Sequence, residues 1–191
     1  MHLPSLLRAA ALTSAVLLAT MPTWAQQKLV PAQSSVAFTA RQMGVPLQGH
    51  FSQFDAQIAF DPAQLASSKI AFTVNTGSAT LGSRETDAEL PKAEWFHTAR
   101  FPQATFQSSS IKALGGGKFE VTGKLSIKGQ AHDVVVPVTL VQTGPTTLAS
   151  GTMVLKRLAY KIGDGEWADT SLVADDVQVQ FKLALTGVGK L

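Results

Sequence analysis

Histidines and carboxylates are the side chains of this sequence that most readily do chemistry. His50, His97 and His132 lie far apart, and none belongs to a His-Glu-x-x-His zinc motif. Segment 163–169, Gly-Asp-Gly-Glu-Trp-Ala-Asp, carries three carboxylates, but it lacks the ligand spacing and closing glutamate of a hand-type calcium loop. We therefore expect solvated side chains, with Trp167 folding back onto the core, and no metal site.

Other catalytic patterns are also missing. The sequence has no Gly-x-Ser-x-Gly elbow, no phosphate-binding Gly-x-x-x-x-Gly-Lys motif and no dinucleotide fingerprint. It contains no cysteine, which excludes disulfides, thiolate zinc sites, iron–sulfur clusters and cysteine nucleophiles. Asp and Glu are present, but nothing indicates that two of them share a pocket as acid and base. We predict a protein that is not an enzyme and requires no cofactor.

The elements that would position any site are mostly strands, because several segments alternate apolar and polar residues with a period of two. Turn signals at 115–117, 128–130 and 144–145 separate strands near 103–113, 118–127, 134–141 and 147–160. The inward faces of four segments are Phe54, Ile58 and Phe60; Ile70, Phe72 and Val74; Phe119, Val121, Leu125 and Ile127; and Val177, Val179, Phe181, Leu183 and Leu185. About eight or nine strands at this spacing predict a sandwich or a barrel.

One segment, 83–90, favours a short helix. Ser83 is a candidate cap, Glu85 and Asp87 fall in the first turn, and Pro91 ends the pattern. There is no internal repeat or linker, so we predict a single domain over 26–191.

The first 25 residues have the layout of a secretory signal peptide. His2 and Arg8 give a basic start, an apolar run follows over 9–21, and Thr23 and Ala25 provide small residues for cleavage after Ala25. A membrane-spanning helix would need about 20 apolar residues. We predict export to the periplasm.

The composition is that of a packed globular protein: 45% of the 191 residues are hydrophobic and 15% are charged. Without the signal peptide, 15 basic side chains stand against 13 acidic ones, a net charge of +2. The basic residues are spread along the chain, and Lys156-Arg157 is the only adjacent pair. A nucleic-acid-binding protein would cluster them, so we expect no nucleic-acid partner.

Three stretches resemble the YceI-like family of exported, lipid-binding barrel proteins. The first stretch, near the start, consists of 34–38, 49–54 and 58–62. The second consists of Arg84, Leu90, 95–96 and 100–108 (Arg-Phe-Pro-Gln-Ala-Thr-Phe-Gln-Ser). The third is 121–129 (Val-Thr-Gly-Lys-Leu-Ser-Ile-Lys-Gly). The family often has Asp where this chain has Glu85 and His97. Segment 160–171 is similar to a branch sometimes encoded beside b-type membrane cytochromes.

The resemblance implies an all-β, lipocalin-like antiparallel barrel whose interior holds an isoprenoid chain, such as a polyprenyl compound or the tail of a quinone. The leading hypothesis is a carrier or reservoir with no chemical step. The alternatives are an accessory protein of a membrane b-type cytochrome and quinone system, and an enzyme acting on a lipid-like substrate. Transient contact with a membrane or a membrane cytochrome is compatible with the first two hypotheses, and the oligomeric state stays open, a homodimer included.

The lipid-binding residues follow from strand parity and position. Arg84 is expected to pair with Glu85 or Asp87, or to meet a polar head group at the barrel mouth. Trp95, Phe96 and Phe101 are candidates for a mouth or lid. The full set is Phe38, Phe54, Phe72, Leu81, Arg84, Leu90, Trp95, Phe96, Phe101, Phe106, Met153, Trp167 and Phe181.

Overall fold

A computed structural model describes residues 27–191, so the predicted signal peptide and its cleavage site lie outside the described residues. Within 27–191 there are eleven strands, one α-helix and five short 3-10 turns. The elements are β1 (Lys28–Leu29), β2 (Ser35–Gln42), β3 (Val45–Phe51), β4 (Phe54–Ala59), β5 (Lys69–Asn75), β6 (Ala79–Thr80), α1 (Arg84–Glu89), β7 (Gln103–Gly115), β8 (Lys118–Ile127), β9 (Gln130–Thr143), β10 (Thr146–Lys156) and β11 (Asp176–Thr186).

All strands belong to one antiparallel sheet in the order β4-β5-β7-β8-β9-β10-β11-β2-β3-β6, with β1 beside β11. Only Ser52 and Gln53 separate β3 from β4, and only 76–78 separates β5 from β6. Hydrogen bonds from Ser52 N to Ser78 O and from Asn75 N to Gln53 O continue the pairing through this bend. The two pairs are therefore two long bent strands.

The bent strand β3–β4 closes the sheet, because β3 pairs with β2 while β4 pairs with β5. When each bent pair is counted once and the two-residue β1 is set aside, eight strands surround the interior. The prediction of a lipocalin-like antiparallel barrel of about eight strands is thus confirmed.

The two ends of the barrel differ. The end that we call the base carries the turns at 115–117 and 144–145, and a cluster of buried side chains packs there, in which Phe60 and Phe119 make an edge-to-face contact at 5.4 Å. The opposite end carries the turns at 43–44 and 128–129 and two long connections, 81–102 and 157–175, that we call the lid segments. The main core cluster therefore lies at the base, where its side chains also line the cavity.

Two local predictions need correction. The strand predicted over 147–160 ends at Lys156, because Arg157–Tyr160 turns inward as a 3-10 helix. The helix predicted over 83–90 is present as α1, but the Ser83 side chain makes no capping hydrogen bond. Its carbonyl oxygen accepts from Asp87 N instead. No helix within 27–191 has the length and apolar character needed to cross a membrane.

Candidate functional site

A cavity of about 370 Å³ occupies the barrel interior. Alternate residues of β10 and β11 line it, from Thr147 to Leu155 and from Val177 to Leu185. Nine residues of an antiparallel strand span about 27 Å at ~3.4 Å per residue. The cavity is therefore long and narrow, and its volume is within the range of sites that bury a small ligand.

The structure places most of the sequence-predicted site residues in the cavity wall. Ten of the thirteen line it: Phe38, Phe72, Leu81, Leu90, Trp95, Phe96, Phe106, Met153, Trp167 and Phe181. Strand parity placed Phe38, Phe72, Phe106 and Phe181 on the inner face, and the lid segments supply Leu81, Leu90, Trp95, Phe96 and Trp167. Contact between these side chains and a ligand stays a prediction.

Phe54 and Phe101 do not line the cavity. Phe54 follows directly after the bend between β3 and β4, and its ring packs against Phe72 at 5.9 Å. Phe101 lies between the His97 ring, at 5.8 Å, and the Arg100 guanidinium, at 5.2 Å. A Cβ added at Gly129 would meet the Phe101 ring at 3.0 Å, so this ring packs on the turn between β8 and β9. Phe54 therefore supports the interior core beside the cavity, and Phe101 supports the turn between β8 and β9.

Arg84 is also outside the cavity wall. It is exposed and forms no hydrogen bond or ion pair with any residue of 27–191, so neither predicted pairing occurs. Asp87 instead accepts hydrogen bonds from Thr80 Oγ1 at 2.5 Å and Leu81 N at 2.6 Å. These two bonds hold the pKa of the Asp87 carboxyl below its ordinary value.

Three inward phenylalanines pack over glycines of the neighbouring strand. An added Cβ would lie 2.3 Å from the Phe38 ring at Gly49, and 2.5 Å from Phe106 Cζ at Gly123. At Gly151 it would lie 2.5 Å from Phe181 Cζ. Each ring fills the volume left by the missing side chain of a glycine. It therefore lies against the barrel wall and takes up less of the central cavity.

Arg157 was missed by the sequence analysis, which treated it as part of a basic pair. It is 2% exposed, lines the cavity and donates all five N–H groups to backbone carbonyls of its own lid segment. The acceptors are the carbonyl oxygens of Ala174 (3.0 Å), Ile162 (2.9 Å), Gly163 (2.9 Å), Trp167 (2.6 Å) and Val173 (2.6 Å). Burial lowers its pKa. The available signal in the sequence was strand parity, because Arg157 follows the inward-facing Met153 and Leu155 at intervals of two residues.

Lys128 is a second buried cation, and it joins the two lid segments. Its Nζ donates to Glu94 O at 3.2 Å and to Lys161 O, and it lies 3.3 Å from Asp164 Oδ2. Gly163 N and Asp164 N donate to the same Glu94 carbonyl, at 2.7 and 3.0 Å. One carbonyl of the first lid segment thus receives three hydrogen bonds.

Aromatic side chains complete the lid end of the cavity. Trp95 and Trp167, one from each lid segment, pack at 5.6 Å, as expected for a Trp167 that folds back inward. Tyr160 is 3% exposed and packs edge-to-face on His132 at 4.9 Å. Burial raises the pKa of the Tyr160 hydroxyl.

The carboxylates of 163–169 have local roles. Asp164 pairs with Lys128, and Asp169 accepts from Ser171 N and Oγ at 2.8 and 2.7 Å. The two Ser171 bonds lower the pKa of Asp169. Over the described residues, no three His, Cys, Asp or Glu side chains are grouped as metal ligands.

Comparisons with known proteins agree with this architecture. A crystal structure of BcnA from Burkholderia cenocepacia is 44% identical, has a TM-score of 0.79, and covers 82% of this chain and 99% of its own. A structure described as a polyisoprenoid binding domain from Saccharophagus degradans has a TM-score of 0.68 at 15% identity, covering 84% of this chain and 97% of its own. A UPF0312 protein of Vibrio cholerae is 27% identical over 157 residues, which are 77% of this chain and 83% of that protein.

A family model described as the YceI-like domain matches residues 27–185, nearly the whole described part of the chain. The match includes every strand of the closed barrel except the last residue of β11. On this evidence the chain belongs to the YceI-like domain family.

Proposed function

We propose that this protein is a periplasmic binding protein that carries or stores an isoprenoid lipid, without a cofactor or a chemical step. The observation that carries the proposal is the long apolar cavity of about 370 Å³ inside a closed barrel. A methyl-branched hydrocarbon chain offers almost no hydrogen bonds, so its site must be an apolar tube. The description of a protein with this fold as a polyisoprenoid binding domain supports the same ligand class.

Burial of apolar surface supplies the affinity. Each Å² of hydrocarbon removed from water contributes about 25 cal/mol, and ordering the chain inside the cavity offsets part of that gain. Inner-face side chains such as Phe106, Met153 and Val179 provide such contact surface along the tube. The flexible thioether of Met153 adapts to an irregular chain.

The direct test is organic extraction of the protein purified from bacteria, followed by mass spectrometry, together with titration of added prenyl lipids. We expect a prenyl lipid to be extracted unchanged. Protein that yields none and binds none overturns the proposal. Recovery of a chemically converted lipid, with conversion lost when the wall carboxylate Glu89 is replaced, would instead support an enzyme.

The periplasmic location rests on the sequence of residues 1–25. N-terminal sequencing of the protein recovered from the periplasm should begin at Gln26. An uncleaved chain that stays in the cytoplasm contradicts this location.

We propose in addition that the lid end makes transient contact with a membrane. Met43 and Val45 are 70% and 61% exposed at the turn between β2 and β3, next to the cavity-lining Gln42 and Leu47. Met43 N donates to the carbonyl of Leu172, another exposed apolar residue. Replacing Met43 and Val45 by aspartate should slow lipid uptake from vesicles while leaving the affinity for dissolved ligand unchanged.

A second candidate function is an accessory role in a membrane electron-transfer system. Segment 160–171, which suggested it, lies at the lid end, where Tyr160, Ile162 and Trp167 line the cavity. The test compares the ratio of reduced to oxidised quinone in cells with and without the protein. An unchanged ratio removes this candidate and leaves the carrier proposal intact.

A further inference from the structure

The polar groups of the cavity wall are concentrated at one end. The described lining residues with polar side-chain atoms at the lid end are Gln42, Thr86, Glu89, Trp95, Arg157, Tyr160 and Trp167. At the base the polar lining residue is Thr147, whose hydroxyl accepts from Gln142 Nε2 at 3.3 Å. Nearly all of the cavity surface is apolar, so the few polar groups near the lid end are the ones that could orient a ligand with a polar head.

The two buried cations near this polar end, Arg157 and Lys128, are already engaged, and the unpaired Arg84 is exposed outside the cavity wall. Arg157, which lines the wall, has no N–H left for a ligand because backbone carbonyls accept all five. Lys128 faces two backbone carbonyls and Asp164. The lid segments contain five Lys or Arg and eight Asp or Glu, a net charge of −3. An anionic head group would meet a negatively charged lid without a free cation in the described wall.

Neutral donors, in contrast, are free. The indole Nε1 of Trp95 is buried and has no hydrogen-bond partner within 27–191, and a buried donor without an acceptor is destabilising. The Tyr160 hydroxyl likewise donates to no described residue, although the side chain lies in the wall. The raised pKa of Tyr160 keeps this hydroxyl protonated at neutral pH. Trp95 Nε1 is covered by surrounding atoms in this structure, so a ligand oxygen can bond to it only after the lid segments move.

We propose that the ligand is a neutral amphiphile whose head group carries a hydrogen-bond-accepting oxygen, an alcohol or a carbonyl, held at the lid end by Tyr160 and Trp95. Its hydrocarbon chain runs toward the base. This inference rests on the proposed function and narrows it, because it excludes phosphorylated prenyl chains as the preferred ligands.

The test titrates the purified protein with three ligands that share one geranylgeranyl chain: the alcohol, the diphosphate and the hydrocarbon without a head group. We expect the alcohol to bind about three- to tenfold more tightly than the hydrocarbon, the range of one or two net hydrogen bonds, and also more tightly than the diphosphate. Tyr160→Phe removes only the hydroxyl. It should weaken binding of the alcohol about threefold and leave binding of the hydrocarbon unchanged. Thr147→Val, the matched change at the base, should leave the preference for the alcohol intact.

A spectroscopic measurement separates direct contact from loss of folding. The indole N–H proton signal of Trp95, assigned by its absence in Trp95→Phe, should move downfield with the alcohol and not with the hydrocarbon. The Trp167 indole, which also lines the cavity and packs on Trp95 at 5.6 Å, gives a second signal that remains in Trp95→Phe and so distinguishes the two.

Any other outcome contradicts the head-group inference, the carrier function or both. Three outcomes overturn the head-group inference and leave the carrier function standing. The diphosphate binds as tightly as the alcohol, the preference for the alcohol is lost in Thr147→Val but kept in Tyr160→Phe, or the Trp95 signal does not move. Failure of all three ligands to bind overturns both.

Discussion

The ring of Phe181 occupies the space in which a side chain at position 151 would begin. The two residues are direct partners across the β10–β11 ladder, and a Cβ on Gly151 would lie 2.5 Å from Phe181 Cζ. Phe38 and Gly49 repeat this relationship as direct partners, and the Phe106 ring covers Gly123 diagonally across the β7–β8 ladder. Three large rings therefore line the barrel while leaving room at its centre.

Gly151→Ala should destabilise the protein by about 1–3 kcal/mol, the usual cost of overpacking. The new methyl group meets the Pro137 carbonyl oxygen at 2.3 Å as well as the Phe181 ring, and a backbone atom yields less readily than a side chain. Urea unfolding measures the change. Gly189→Ala, where the nearest neighbour is 3.8 Å away, is the control and should be near neutral. Equal effects of the two changes would contradict the packing argument.

Phe106→Asp should abolish lipid uptake, because a carboxylate in an apolar tube loses its hydration without gaining a partner. Gln107→Asp is the matched control, since Gln107 is exposed on the outer face of the same strand. Lipid titration and circular dichroism check both variants. If both variants bind lipid equally well, Phe106 does not face the ligand.

Arg157→Leu should destabilise the protein by several kcal/mol, because each buried carbonyl left without a donor costs about 1–3 kcal/mol. Five carbonyl groups of the second lid segment would lose their donor. Arg157→Lys should be intermediate, because an ammonium group offers three donors without the planar fork. Thermal unfolding and proteolysis of 157–175 measure the effect. A neutral Arg157→Leu variant would show that solvent replaces these hydrogen bonds without cost.

The protein should lose stability on acidification through Asp87. Its pKa is lower in the folded than in the unfolded chain, so the unfolded state binds more protons as the pH falls. The stabilisation is present above the unfolded value, near pH 4, and is lost as the pH falls through the folded value. Urea midpoints across this range should decline less in Asp87→Asn than in the unchanged protein. Asp169 has the same direction of shift, so part of the decline should remain.

Strand periodicity was sufficient to predict a sandwich or a barrel and the inner face of its strands, and the resemblance to the YceI-like family supplied the choice of a barrel. The alternation in β11 placed Val177, Phe181 and Leu185 inward, and all three line the cavity. Phe54 has the parity of the lining residues Ala56 and Ile58 and packs against the interior core as parity predicts, but it lies at a bend and does not line the cavity. A bend between two strands depends on pairing with a distant segment, and the local sequence does not carry that information.

The lid was the least predictable part. Phe101 belongs to the run that resembles the family most, yet its position depends on Gly129, Arg100 and His97. The role of Arg157 depends on five carbonyls brought together by an irregular loop. The packing of phenylalanine rings over glycines was equally unpredictable from the sequence, because it depends on the register between neighbouring strands.

The hydrogen bonds between the lid segments bear on how quickly a guest is exchanged. The carbonyl oxygen of Glu94 accepts hydrogen bonds from Lys128 Nζ, Gly163 N and Asp164 N. Neither lid segment can therefore move away alone, and opening of the lid must break several hydrogen bonds together. Such concerted opening implies a long residence time. A molecule once enclosed should therefore leave more slowly than through a lid held by a single hydrogen bond, which suits a reservoir more than a carrier that releases its ligand at every encounter.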